Sequence, residues 1–61
     1  MNLSEVNLVH PVYINADYYS LIKASEVVAI SLEGNFIVVK YNDIEKAIPL
    51  SNVKDITKLN E

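Results

Sequence analysis

The sequence predicts a small all-β fold, an antiparallel meander of five strands that curls into a partly open barrel with short serine-capped helical turns. β-Branched residues alternate about a central Gly34-Asn35, which is typical of a β-hairpin. Further short apolar runs on both sides are separated by turn-forming residues. Because the chain has 61 residues, we expect a single domain, residues 1–61, with one small core.

The first two strands are predicted upstream of that hairpin. VNLVHPVYI, residues 6–14, alternates apolar side chains. Pro11 places this strand at a sheet edge or splits it, because proline has no N–H for the hydrogen-bond ladder. Residues 15–17 predict a turn, and YYSLIK, residues 18–23, is the second predicted strand.

The central hairpin is predicted from VVAISLEGNFIVVKY, residues 27–41, with Gly34-Asn35 as a two-residue turn. In this register one face of the hairpin is wholly apolar. A three-residue loop would instead place Val28 opposite Lys40 on that face, and register follows the buried face. The predicted inner face comprises Val28, Ile30, Leu32, Ile37, Val39 and Tyr41.

A second hairpin is predicted with residues 42–43 as its turn. Lys40 then faces Glu45 in a favourable cross-strand ion pair. Lys46 would lie on the apolar face, either as an inward-leaning lysine that guards a sheet edge or because the strand frays or bulges there. Pro49 predicts that this strand ends or forms an edge.

Two helical turns and a closing strand are predicted next. Ser25 and Ser51 each precede a valine by two residues, and each hydroxyl could cap one helical turn while the valine packs on the core. KDITKL, residues 54–59, would then be a closing strand. A short helix over residues 51–60, capped by Ser51, is the alternative that the sequence leaves open.

A barrel built from these strands is expected to be of the SH3-like kind. Both faces of the central hairpin carry apolar residues, and the interior of one small barrel cannot cover both. We therefore expect the second face to meet another chain or another protein. This face carries Val27, Ala29, Phe36, Val38, Ala47 and Pro49.

Charge disfavours nucleic acid as a partner. Eight acidic residues outnumber five lysines, arginine is absent, and the formal net charge is −3. Nucleic acid is normally held by a basic surface that releases counterions. A small nucleic-acid-binding barrel is nevertheless the alternative hypothesis, with Lys23, Lys40 and Lys54 contacting phosphates and tyrosines stacking on bases.

No catalytic or metal-binding set is visible in the sequence. His10 is the single histidine and has no nucleophile or carboxylate at an informative spacing. Cysteine is absent, and the eight carboxylates are scattered rather than placed to converge in a cleft. We therefore predict no enzymatic activity, no cofactor, no metal and no small-molecule substrate.

The sequence also predicts a cytoplasmic protein without membrane contact. The start MNLSEVNL lacks the basic and apolar regions of a secretory signal. No stretch approaches the ~20 apolar residues of a membrane span. If the protein is encoded by a phage, the expected location is the host cytoplasm.

The aromatic residues are the candidates for partner binding. Tyr13, Tyr18, Tyr19 and Phe36, with Val38, could form a contact surface, because such rings combine large apolar area with a polar edge. Packing in the core or against another copy is the alternative role for these residues, and stacking on bases is the third.

Two segments are similar to parts of known families. SEVVAISLEGNFIVVKYND, residues 25–43, resembles the central hairpin of LytTR-type DNA-binding domains, and FIVVKYNDIEKAIPLSNVKDI, residues 36–56, is similar in rhythm to the last strands of Sm-like barrels. LytTR-type domains are longer and basic, and the Sm-like glycine and aspartate signatures are missing here. The chain is assigned to neither family, and no functional residue is carried over.

The leading hypothesis is a non-enzymatic interaction module that self-associates and acts by occupying a partner's surface. One form of this hypothesis is an inhibitor encoded by a phage or another mobile element, since such proteins are often short, acidic and free of cysteine. An accessory subunit whose partner supplies the function is a third possibility.

Overall fold

The structure is a computed structural model that describes residues 2–58, and within them it is all-β without an α-helix. Six strands are present, one at each of the six segments described above, so the predicted total of five is wrong. The closing segment is a strand as far as Lys58, which answers the choice between strand and helix. Residues 59 and 60 of that predicted segment lie outside the described residues. The elements are β1 (Leu3–Ile14), β2 (Asp17–Lys23), β3 (Ala29–Glu33), β4 (Phe36–Tyr41), β5 (Ile44–Pro49) and β6 (Val53–Lys58), with two single-turn 3-10 helices, η1 (Ala24–Glu26) and η2 (Leu50–Asn52).

The strands form two antiparallel three-stranded sheets, in the orders β2-β1-β6 and β3-β4-β5. An isolated bridge between Asn2 and Ser31 connects the chain just before β1 to β3. The small antiparallel β fold is therefore confirmed. The two sheets keep separate edges and do not close into a barrel.

One core lies between the two sheets. Aliphatic side chains from β1 to β5 form it, while Val53 and Ile56 of β6 pack against it half-buried. None of the described polar or charged side chains is buried. Each fully buried aliphatic side chain contributes roughly 1.5–3 kcal/mol, so a few such residues decide the stability of a chain this small. The buried residues are Leu3, Val6, Leu8, Ile14, Ile22, Ile30, Ile37, Val39 and Ile48.

β1 is the central strand of its sheet over its first half, because β6 pairs with it only as far as Leu8. Beyond Leu8 its single neighbour is β2, so the prediction that Pro11 lies at a sheet edge is confirmed, and the alternative that Pro11 splits the strand is wrong. The hydrogen-bond ladder between β1 and β2 is interrupted between Asn7 and Val12, where four residues of β1 face one residue of β2. The chain of β1 stays extended through this gap, so the strand itself is continuous. Pro11 lies in this gap, so its missing N–H removes no hydrogen bond from the β1–β2 ladder.

Asn52 of η2 pairs with the same part of β1. Its side-chain oxygen accepts a hydrogen bond from the His10 N–H at 2.9 Å, and its side-chain nitrogen donates to the His10 carbonyl at 3.1 Å. The pairing of β1 with β6 ends at Leu8. The amide of Asn52 therefore takes the place of a neighbouring strand where the regular ladder stops.

The register predicted for the central hairpin is confirmed from Ala29 to Lys40. Ile30, Ile37 and Val39 are buried on the inner face as predicted. Val28 is the exception, because its side chain is 65% exposed although it was predicted to lie inside. The bend after η1 breaks the alternation of the strand, so Val27 packs against the core in its place. The placement of Val27 on the second face is therefore wrong, whereas the prediction that it packs on the core after the helical turn is confirmed.

The second hairpin also has its predicted register. Lys40 lies opposite Glu45, and their charged atoms are 3.6 Å apart. Lys46 lies opposite Val39 and is exposed, at the edge of the sheet, and the pairing of β4 with β5 contains no bulge. The fraying or bulging alternative for Lys46 is therefore wrong, and Pro49 is in an edge strand as predicted.

The serine caps are wrong, although helical turns do occur at both positions. η1 and η2 begin one residue before the serine, so their N-cap residues are Lys23 and Pro49, and neither makes a side-chain capping hydrogen bond. Ser25 and Ser51 are instead the middle residues of the two turns. A capping hydroxyl must belong to the residue before the first turn, because only from there does it accept a hydrogen bond from the unpaired N–H groups at the start of the helix.

Candidate protein-interaction surface

The outer face of the β3-β4-β5 sheet carries a contiguous apolar surface. Phe36 lies opposite Pro49, and Val38 lies opposite Ala47, on the side of the sheet away from the buried Ile37, Val39 and Ile48. We call the four residues Phe36, Val38, Ala47 and Pro49 the outer strip. Phe36 is 46% exposed, so its ring is available to a partner.

Polar groups border the outer strip along one side and at one end. On the β3 side the Ser31 hydroxyl, opposite Val38, donates a hydrogen bond of 2.8 Å to Glu33, which lies opposite Phe36. At the end beyond Val38 is the Lys40–Glu45 ion pair. An apolar centre with a polar rim is the usual composition of a protein–protein interface.

The predicted aromatic surface is divided between the two sheets. Tyr13 and Tyr18 are opposite each other on β1 and β2, with ring centroids 5.0 Å apart in an edge-to-face arrangement. They are 52% and 70% exposed. Tyr19 instead packs half-buried against the core, and Phe36 belongs to the other sheet. The structure therefore brings together Tyr13 with Tyr18, and Phe36 with Val38.

Tyr19 and Tyr41 meet beside η1, where a narrow crevice is lined by Ile14, Tyr19, Ile22, Glu26, Val27 and Tyr41. Partial burial raises the pKa of the Tyr19 phenol above its ordinary value. Tyr41, Asp17 and Glu26 add to this increase of the pKa. The crevice has room for no more than about one water molecule, so it is not a site for a small organic ligand.

An open groove continues from this crevice toward the solvent. Its volume is about 260 Å³. The lining combines aliphatic, phenolic and polar side chains: Ser25, Glu26, Val27, Val28, Tyr41 and Asn42. Sequence reasoning missed this groove because it placed Val28 inside the core. The signal that could have found it is the helical turn predicted after Ser25, since a turn breaks the two-residue alternation of a strand.

The lysines proposed for nucleic acid are spread over the molecule. Lys23 ends β2 opposite Glu5, Lys40 pairs with Glu45 on the outer face of the other sheet, and Lys54 is on β6. The structure thus places them on three strands and both sheets. It does not bring them together with Tyr13 and Tyr18 into one basic surface.

His10 is exposed, and its hydrogen bonds with Asn52 are made by its main chain. Within residues 2–58 there is no group of three side chains that could hold a metal ion. The same part of the chain has no helix long and apolar enough to cross a membrane.

Comparisons with protein-family models, with curated proteins and with solved structures gave no match to this chain. Function is therefore inferred from the geometry of its own residues.

Proposed function

We propose that this chain is a non-enzymatic cytoplasmic interaction module with an SH3-like, partly open barrel arrangement, and that it self-associates through the outer strip. The observation that carries the proposal is the alignment of Phe36 with Pro49 and of Val38 with Ala47 on an outer sheet face. The barrel arrangement is supported by the 3-10 helix between β5 and β6 and by the pairing of β6 with β1.

A second copy of the chain complements this face. If Val38 lies on a two-fold axis with the two β4 strands antiparallel, Phe36 of each copy meets Lys40 of the other. An ammonium group over an aromatic ring is attractive, and a two-fold contact uses the same surface on both chains. The other simple stacking, with the β4 strands parallel, would place Lys40 against Lys40 and is disfavoured by like charge.

The size of the face limits the strength of this association. Three strands about 4.8 Å apart and about five residues long present roughly 240 Å². A stable interface buries about 800 Å² on each partner. We therefore expect a weak, concentration-dependent dimer, with a Kd in the micromolar to millimolar range.

Sedimentation equilibrium over a range of protein concentrations tests the proposal. We expect the wild-type protein to form a dimer as its concentration approaches about 1 mM, and the Phe36→Ser variant to remain monomeric. Tyr13→Ser is the matched control, because it removes an exposed aromatic ring from the other sheet and leaves the outer strip intact. A strictly monomeric wild-type protein, or equal loss of the dimer in both variants, would refute the proposal.

The exposed Tyr13–Tyr18 pair supports a second candidate, in which the chain binds single-stranded nucleic acid by base stacking. Affinity would then fall steeply with salt and weaken in Lys23→Ala or Lys40→Ala variants. Absence of binding at low salt would dispose of this candidate.

A further inference from the structure

The open groove beside η1 has two chemically different parts. Val27 and Val28 form an aliphatic wall, and the exposed Val28 is a surface that the core does not use. Glu26, Asn42 and Ser25 supply a carboxylate, an amide and a hydroxyl, and Tyr41 supplies an aromatic ring. A ligand that complements both parts has an apolar stem and a polar head.

The charge of the groove determines the sign of that head. Glu26 carries the one carboxyl group among the lining residues, and no lysine lines the groove. Within the described chain it has no ion-pair partner, because the ion pair found there joins Lys40 to Glu45. Two lysines are close to η1. Lys23 directly precedes it, and the Lys40 carbonyl accepts a hydrogen bond of 2.9 Å from the Val28 N–H. Neither lysine lines the groove. A cation is therefore complementary to it.

Lysine and arginine side chains combine these properties, since their methylene stems pack on apolar surface while the charged head remains with polar groups. A phenol ring adds an attraction for the cation. We propose that the groove binds the cationic side chain of a lysine or arginine in a basic segment of a partner protein. The stem lies along Val27 and Val28, and the head reaches Glu26 beside Tyr41 and Asn42.

This binding does not depend on self-association. The outer strip and the groove have no residue in common. The module would thus carry two recognition surfaces, one apolar and one anionic. The negative net charge of −3 favours the approach of a basic segment at long range.

The test is an NMR titration of the protein with Nα-acetyl-lysine N-methylamide, with the uncharged Nα-acetyl-norleucine N-methylamide as the comparison ligand. The protein concentration is kept below that at which dimer forms, so that the outcome is independent of the outer strip. We expect saturable shifts of the backbone amides of residues 25–28, 41 and 42 with the lysine compound, and a Kd in the millimolar range. The norleucine compound should shift these amides much less.

Glu26→Gln is the variant that removes the carboxylate, and we expect it to weaken lysine-amide binding about three- to fivefold. Asp55→Asn is its matched control, because it changes the net charge equally on β6, outside the groove. Equal shifts from both ligands, equal weakening by both variants, or no saturable shift up to about 100 mM ligand would each overturn the proposal.

Discussion

Positive φ angles at hairpin turns are the most demanding single-residue features of this chain. Gly34 has φ +61° at the first of two turn residues, the conformation of a type II′ turn. Asn42 occupies the equivalent position with φ 54°. Asn15 and Ala16 both have positive φ, at 50° and 70°, as in a type I′ turn. Ala16 is the unfavourable member, because alanine has neither the freedom of glycine nor the hydrogen-bonding side chain of asparagine.

Gly34→Val is expected to lower the free energy of unfolding by about 1–2 kcal/mol. A Cβ at this position would meet no atom within 4 Å, so the cost comes from the backbone conformation rather than from a clash. Urea unfolding measures the change, and Gly34→Asn is the milder control because asparagine tolerates positive φ. An unchanged melting temperature of the valine variant would show that the turn lies elsewhere.

Ala16→Gly is expected to raise the free energy of unfolding by about 0.5–1 kcal/mol, because glycine relieves the positive φ and loses part of that gain to chain entropy. Ala47→Gly, in the extended strand β5, should instead lower it. The same urea experiment compares the two variants. A loss of stability in both would contradict a positive φ at Ala16.

At the level of the elements, β1 has the least regular pairing. It is held by β2 at both ends, by β6 over its first half, and by the Asn52 side chain at His10. The bulge allows one strand of twelve residues to bend while it remains continuous. A side chain from η2 thus fixes the position of β1 where main-chain pairing fails.

Asn52→Ala is expected to lower the free energy of unfolding by about 1 kcal/mol, toward the low end for two hydrogen bonds because water reaches this site. Hydrogen exchange of the His10 amide measures the local effect, and its protection should fall. Asn35→Ala, in an exposed turn, is the control. Unchanged protection of His10 would argue against the contact.

The sequence predicted the β3-β4-β5 sheet well because its signals are local. Only one register is compatible with two local signals, the two-residue turn at Gly34 and the period-two alternation that buries Ile30, Ile37 and Val39 on one face. The region around η1 was predicted in part, because the helical turn at Ser25 and the packing of Val27 on the core are both observed. The alternation of the hairpin, carried back through this turn, wrongly placed Val28 inside, since a 3-10 turn has a different period from a strand. Pro11 correctly indicated an edge position, but the interruption of the β1–β2 ladder that keeps the strand continuous at this proline has no sequence signature.

The candidate surface was partly accessible to sequence reasoning. Phe36 and Val38 follow from alternation once Ile37 is placed inside. The separation of Tyr18 from Tyr19 follows from the same alternation, but their distance from Phe36 depends on how two sheets enclose one core. Such long-range placement is not encoded in a short window of residues.

For the molecule as a whole, the exposed edges of two small sheets are a risk of unwanted association. Lys46 lies on the edge strand β5 opposite the buried Val39. Lys46→Val is expected to increase aggregation, measured by light scattering at rising protein concentration, because it removes the charge that opposes pairing of this edge. Lys46→Gln separates loss of charge from gain of apolar surface. If neither variant aggregates more than the wild-type protein, Lys46 does not protect the edge.

The pairing of β1 with β6 also has a consequence for the order of folding. Leu3 lies opposite Lys58, so this sheet requires contact between segments more than fifty residues apart. The β3-β4-β5 sheet needs only neighbouring strands joined by two-residue turns. Because closing a long loop costs more entropy than closing a short one, the meander from Ala29 to Pro49 should assemble first. During synthesis the meander can form as soon as Pro49 has left the ribosome. The pairing of β1 with β6, which completes the core, must follow, because β6 is the last of these strands to be synthesised.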